Sequence, residues 1–216
     1  MSKKDMLGAL MRLVVTVPAA WLGTLVDFVE KLLGKDGQVW FAAFGRFLRK
    51  ENAWDGKKLL LRYLETLEVK GAKKFVAKEA FQIGTGPQRE VPISGLGDNF
   101  KRDYIPKIEE NVEDASVRMH ELLETSRDIP IVAELGNEEG AETTLTHFHG
   151  VLAAKHAAGD HSWTVGYIRD KNGVLGVVRA RWSGDGWNVS AYPLGYPLRW
   201  LAGDRFLSRN SVPLGT

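Results

Sequence analysis

The chain has 216 residues and no cysteine. It is 44% hydrophobic and 26% charged, with a formal net charge of +2. This is the composition of a globular protein of one large or two small domains. The missing thiol excludes disulfides, cysteine-liganded zinc and a cysteine nucleophile. The near-neutral total hides a segregation of charge. Residues 1–62 hold 11 basic and 6 acidic side chains, residues 63–102 hold 7 and 5, residues 103–142 hold 3 and 12, and residues 143–216 hold 8 and 4. An acidic middle between two basic parts can attract its own flanks or orient a charged partner.

At the N-terminus, Lys3 and Lys4 precede "MLGALMRLVVTVPAAWLG", with Val17 and Ala19 at the small-residue positions of a cleavage site. This imitates an export signal over residues 1–19, which would make the protein exported and envelope-associated. Asp5 and Arg12 break the pattern. The longest charge-free stretch, Leu13 to Val26, falls short of the roughly 18–20 residues of a spanning helix. The favoured reading is an amphipathic helix in a cytoplasmic protein without a transmembrane segment.

Pro18 suits a first turn and Gly34 a stop, so the apolar spacing of Trp21, Leu22, Leu25, Val29, Leu32 and Leu33 predicts a helix. A second helix starts at Asp36, with Val39, Trp40, Ala43, Phe44, Phe47 and Leu48 as its stripe. "ENAWDGKK" (51–58) reads as a turn, and a boundary near residue 56 divides a helical region (1–56) from an α+β domain (57–216). In the second part the helical period weakens. "LLLRYLETLEVK" fits a short helix or a strand. "KKFVAKEAF" and "REVPIS" read as strands around an "IGTGP" turn, and "GLGDNF" reads as a second turn with Asp98 or Asn99 capping the next segment. "VRMHELL" (117–123) alternates as a strand does. "IPIVAELG" (129–136) predicts a short helix, and residues 138–158 a longer one.

The segment 162–194 predicts a three-stranded antiparallel meander. Asn172-Gly173 and Gly184-Asp185 are both two-residue turn signals. Two-residue loops set Trp163 opposite Trp182 and Trp187, Val165 opposite Ala180 and Val189, and Tyr167 opposite Val178 and Ala191, all on one apolar face. The helix over 138–158 is the natural cover for that face. The other face then collects Thr164, Ile168, Val177, Arg179, Arg181, Asn188, Ser190 and Tyr192. A three-residue first loop would place Arg179 and Arg181 beside Trp163 and Val165, and is disfavoured on that ground.

Four of the five histidines lie in "THFHGVLAAKHAAGDH" (146–161). On a helix, His147 and His149 stand about 200° apart, and His149 and His156 about 10.5 Å apart along the axis. No H-x-x-x-H pair exists, so neither a metal site nor a cofactor is expected. The helix stripe of Leu145, Phe148, Leu152 and Ala153 outweighs an extended, chelating alternative.

The sequence has no G-x-S-x-G elbow, phosphate-binding P-loop or H-E-x-x-H motif. The acids of "KIEENVED" and "NEEGAE" read as solvated helix starts rather than an acid/base pair. Two surfaces stand out. The polar meander face (Arg179, Arg181, Asn188, Ser190, Tyr192) has the groups to hold a carboxylate or phosphate. Arg46, Arg49, Lys50, Lys57 and Lys58 form a weak nucleic-acid footprint, with no base-stacking motif beside it.

"DGQVWFAAFGRFLRKENAW", "FVAKEAF", "GLGDNFKRDYIPKIEE", "IPIVAELGNEEGAETTL", "YIRDKNGVL" and "GDRFLSRN" together resemble a family of small bacterial proteins found mainly in candidate-phylum genomes. The resemblance spans most of residues 20–210. It implies no activity, and no functional residue is carried over from it. The FLRKEN-type stretch recurs there ahead of unlike C-terminal parts, as a modular helical unit would. Ala53 stands where that stretch usually has proline. The functional expectation is a non-enzymatic interaction protein with a macromolecular partner. The rival is a hydrolase using the polar sheet face or the acidic loops.

Overall fold

A computed structural model describes residues 19–49, 59–86 and 88–209. The candidate signal segment, the turn at 51–58 and the basic residues Lys50, Lys57 and Lys58 lie outside the described residues, as does the side chain of Arg46. The chain divides into two compact units, 1–58 and 59–216. The fold class is α+β, as the composition and period changes predict.

Among its described residues the first unit has two helices, α1 (Ala19–Leu33) and α2 (Gly37–Leu48), joined by a tight turn. Phe28 meets Phe44 with ring centroids 4.7 Å apart, and the Lys31 ammonium lies over the Trp40 ring. The later residue of α1, Lys31, meets the earlier residue of α2, Trp40, and the earlier Phe28 meets the later Phe44, so the pair is antiparallel. A side chain at Gly37 would strike the Leu32 carbonyl, so a glycine is needed for the return.

The second unit is built on one large sheet. Its strands are β1 (Leu61–Val69), β3 (Ile93–Leu96), β5 (Ala115–Leu122), β6 (Glu142–Thr143), β7 (Thr164–Arg169), β8 (Leu175–Ser183), β9 (Gly186–Pro193) and β10 (Arg205–Arg209). The order is β1-β5-β10-β7-β8-β9-β3, with β6 beside β7. Two further strands, β2 (Ala72–Val76) and β4 (Ile108–Val112), pair separately. The connecting helices are α3 (Ala77–Ala80), α4 (Asp98–Asp103), α5 (Asp128–Glu134), α6 (Asn137–Ala141) and α7 (Leu145–Ala157).

Several local expectations change in the structure. "LLLRYLETLEVK" is the strand β1, and its alternation wins over its helix formers. "KKFVAKEAF" gives β2 and then turns helical at Ala77. "KIEENVED" is not a helix start but the strand β4. The helix expected over 138–158 is broken by the strand β6, after which Thr144 starts α7 afresh by accepting the His147 N–H. At "GLGDNF" the strand β3 leads into α4 without a side-chain cap; the Asn99 amide instead bonds the Ala191 carbonyl.

The helix α7 seals one face of the sheet. Its Leu145, Phe148, Val151 and Leu152 are buried against Met119, Ile168, Val178, Ala180, Val189 and Leu207. Burying a side chain of this size contributes roughly 1.5–3 kcal/mol. The first N–H groups of α7 are satisfied from a distance. The buried Glu109 on β4 accepts from Leu145 N, Thr146 N and the Thr146 hydroxyl, and its own charge is met by Lys107 at 2.9 Å. Burial alone would raise the Glu109 pKa. The Thr146 hydroxyl and Lys107 prevail and hold it below the usual carboxylate range.

The meander forms, but its first turn has the register that the sequence disfavoured. Thr164 pairs with Ala180, Val165 with Arg179 and Gly166 with Val178. The cause is Asp170. Its carboxylate accepts the N–H groups of Asn172 and Val174 and opens a three-residue loop, with Gly173 left-handed at φ 79°. The second turn keeps the two-residue register, with Trp182 opposite Trp187, Ala180 opposite Val189 and Val178 opposite Ala191. One extra loop residue flips every side chain of β7 relative to β8. Thr164 and Ile168 therefore join the helix-covered face. Trp163, Val165 and Tyr167 move to the face of Arg179 and Arg181, where Tyr167, Val177, Trp200 and Phe206 build a second core.

Candidate functional site

The arginine face of the meander is the site that the strands assemble. Residues two apart on a strand share a face, so β8 presents Val177, Arg179 and Arg181 while β9 presents Asn188, Ser190 and Tyr192. The Arg179 guanidinium lies between two rings, 5.1 Å from the centroid of Trp163 and 5.2 Å from that of Tyr192. Its Nη2 donates to the Tyr192 hydroxyl at 2.8 Å, while its buried Nε has no hydrogen-bond partner. Arg181 is exposed and lies 5.7 Å from the same Trp163 ring. The Ser190 hydroxyl donates to the Asn188 side-chain carbonyl at 3.3 Å. Beside them run Gly95 and Gly97, where a side chain would strike Asn188 and Ser190. The two glycines leave that flank of the face low.

All five residues expected on this face are thus together on it. Trp163 was missed, because its place depends on one residue of loop length. Arg179 also acts on the carboxyl of Asp204: burial pushes its pKa up, and the Leu201 N–H and Arg179 pull it back.

The face passes directly into the second core. Asp128, at the start of α5, is 1% exposed and accepts from Trp200 Nε1 at 2.7 Å and the Tyr167 hydroxyl at 3.2 Å. Burial raises its pKa above the usual range, and the two donors offset part of the rise. Next to this core His120 meets Ser208 at 2.9 Å, the pairing of a nucleophile and a base. Ser208 is only 3% exposed, however, so no substrate carbonyl reaches it. Burial, reinforced by Arg118 and offset by Glu134, brings the His120 pKa down to about 4.

The four clustered histidines go to separate tasks. His147 Nε2 bonds the Glu113 carbonyl. His149 packs edge-on against Phe75 and Phe81; burial lowers its pKa, while Glu90 and the Ala80 carbonyl oppose the fall. His161 stacks on Trp182 at 3.7 Å, with His156 beside the same indole at 5.6 Å. Among the described residues no group of three or more histidine, aspartate or glutamate side chains is placed to hold a metal ion.

Other polar groups are already engaged. Lys155, 3% exposed, donates to Asp160 at 3.0 Å and to the Ser162 hydroxyl at 2.6 Å, and Arg205 donates to the same Asp160 oxygen. Burial favours the neutral Asp160 carboxyl, but the Ser162 N–H and hydroxyl and Lys155 bring its pKa down to about 2. Glu138 and Glu142 of "NEEGAE" pair with Arg169. A groove of about 590 Å³ runs between α7 and the β1–β2 turn, lined by small helix residues, His149, Arg89 and Glu90. A second, of about 510 Å³, follows the β4–β5 turn beside His147 and Arg209. Of the basic footprint, Arg49 is exposed in the turn just after α2. The chain matches no protein-family model, no curated protein and no solved structure.

Proposed function

We propose that the protein is a non-enzymatic binding protein whose working surface is the arginine face, taking carboxylate or phosphate groups of a macromolecular partner. One observation carries this reading: Arg179 is held between Trp163 and Tyr192, and Arg181 stands exposed against the same indole. A guanidinium fixed by flanking rings loses little further freedom on binding, so its donors are preorganised for a planar anion. Asn188 and Ser190 add neutral donors and acceptors alongside. The engagement of Glu109, Glu138 and Glu142 in caps and ion pairs, and the burial of Ser208, support binding over hydrolysis.

Fluorescence anisotropy with labelled polyglutamate and labelled polyphosphate tests the proposal. Charge-assisted hydrogen bonds contribute about 1.5–3 kcal/mol each, so Arg179→Ala/Arg181→Ala weakens binding of at least one probe by more than about tenfold. Unchanged affinity in a double variant of normal thermal stability, or no binding by the wild-type protein, rejects it.

A further inference from the structure

The two arginines of the meander differ from five others in the same unit. Arg62, Arg102, Arg169, Arg205 and Arg209 each pair with a carboxylate. Arg179 and Arg181 are set against rings instead, and among the described residues neither has a carboxylate within ion-pair distance. The carboxyl of Asp204 feels the charge of Arg179 but accepts the Leu201 N–H within its own loop. The register sets the order of the groups. Val165 stands opposite Arg179, so Trp163, two residues earlier on the same face, stands beside Arg181. On the other side of β8, Asn188 stands opposite Arg181 and Ser190 opposite Arg179, with Tyr192 one step along the diagonal. Tyr196, in the connection from β9 to β10, comes last, its ring centroid 5.6 Å from that of Tyr192. Arg181, Trp163, Arg179, Tyr192 and Tyr196 thus form one row with steps of 5.7, 5.1, 5.2 and 5.6 Å, cation and ring alternating as far as Tyr192. The two ends of the row are its exposed members, Arg181 and Tyr196, and the three groups between them are partly buried.

A ligand on this row meets flat surfaces as well as charge. A guanidinium plane and a phenol ring both stack on a nucleobase, and every base has a face to offer them. Arg179, braced between its two rings, is a fixed cation for a phosphate between the two exposed ends. Asn188 and Ser190 supply polar atoms beside it for base edges or sugar hydroxyls. Gly95 and Gly97 keep that flank low, so an extended chain passes over it unobstructed. An acidic peptide would use the two charges and leave the planes of Arg181 and Tyr196 idle. A duplex hides its base faces in its own stack, so only a single strand engages charges and planes together. Building on the anion-binding reading of the same face, we propose that its partner is single-stranded nucleic acid, with bases stacked on Arg181 and Tyr196 and a phosphate held at Arg179.

The full chain is titrated by fluorescence anisotropy with labelled single-stranded DNA and RNA, with the same DNA as a duplex, and with a strand of equal length whose sugars carry no bases. The expected result is that at least one intact strand binds about tenfold more tightly than both the abasic strand and the duplex, and that its binding weakens with added salt. Intact strands that bind no better than the abasic strand or the duplex overturn the proposal and leave the anion-binding reading standing. So does polyglutamate that binds more tightly than any strand, because the partner is then an acidic protein. No binding of any of these anions overturns both. Tyr196→Ala removes a stacking plane and no charge, so it lowers affinity for the intact strand by about tenfold and leaves the abasic strand and polyphosphate unchanged. Arg181→Lys keeps the charge, loses the plane and has the same signature. Both side chains are exposed, so neither change disturbs the core. Unchanged affinity for the intact strand in both variants, or equal losses on the intact and abasic strands, overturns the proposal.

Discussion

The two faces of the large sheet are closed by different means. Over one face lies α7, and from Met119 to Val189 the contact is apolar, buried and continuous. Over the other, Tyr167, Val177, Trp200 and Phe206 close only part of the surface, and the strands then run on into Arg179, Arg181, Asn188 and Ser190. The helix-covered face is closed and holds the fold together, whereas the arginine face stays partly open, and it is there that we propose binding. Changes under the helix should therefore cost stability, and changes at the arginines should cost affinity.

The largest effect is expected at Glu109, which fastens the start of α7. Glu109→Ala orphans the N–H groups of Leu145 and Thr146 and leaves Lys107 without its counter-charge, with only the Arg169 carbonyl to accept from it. Removing one member of a buried pair costs about 3–5 kcal/mol, to be measured by urea unfolding. Glu109→Gln keeps an acceptor oxygen and loses less. A loss below about 1 kcal/mol for the alanine variant would mean that α7 is not held in this way.

How much of this contrast was legible in the sequence depended on single residues. The second meander turn was readable because Gly184, at φ 68°, needs only its own conformational freedom. The first was misread because Asn172-Gly173 signals a two-residue loop, whereas the Asp170 carboxylate two residues earlier captures the backbone and adds one residue. The five polar residues of the arginine face were found because they lie on β8 and β9, whose register was read correctly. Trp163 was lost because it lies across the misread turn. Glu109, Asp128 and Lys155 were beyond reach for another reason. Glu109 and Asp128 bond partners brought near by tertiary folding, across 36 residues for Glu109 and Leu145 and 72 for Asp128 and Trp200, and Lys155 bonds Asp160 and Ser162 only because the chain turns back after α7.

The next effect concerns acid. His120 lies on the arginine side of the sheet and has a folded pKa of about 4 against an ordinary value of 6.5. The native state therefore binds fewer protons here than the unfolded state. Its contribution is fully present above pH 6.5 and is lost as pH falls towards 4, a total of about 3 kcal/mol. Urea midpoints should fall between pH 7 and pH 4.5. His120→Gln should flatten that slope, leaving the part due to His149, whose pKa burial also lowers. An identical slope in the variant would show that His120 does not titrate with unfolding.

The smallest effect on stability is expected where the effect on binding is greatest. Trp163 and Arg179 meet only because the Asp170 loop has three residues; with two, Trp163 would lie against Trp182 on the opposite face. A cation–π contact at a partly exposed site contributes about 0.5–1 kcal/mol. A double-mutant cycle of Trp163→Ala and Arg179→Ala, read by urea unfolding, should return a coupling of that size. Trp163→Ala with Trp182→Ala should couple less, because the two indoles point to opposite sides of the sheet. If the order is reversed, Trp163 belongs under α7 and the arginines lose the ring that orients them. If it holds, Trp163→Ala alone should weaken anion binding while leaving the fold within about 1 kcal/mol of wild type, since it removes the brace and leaves both charges.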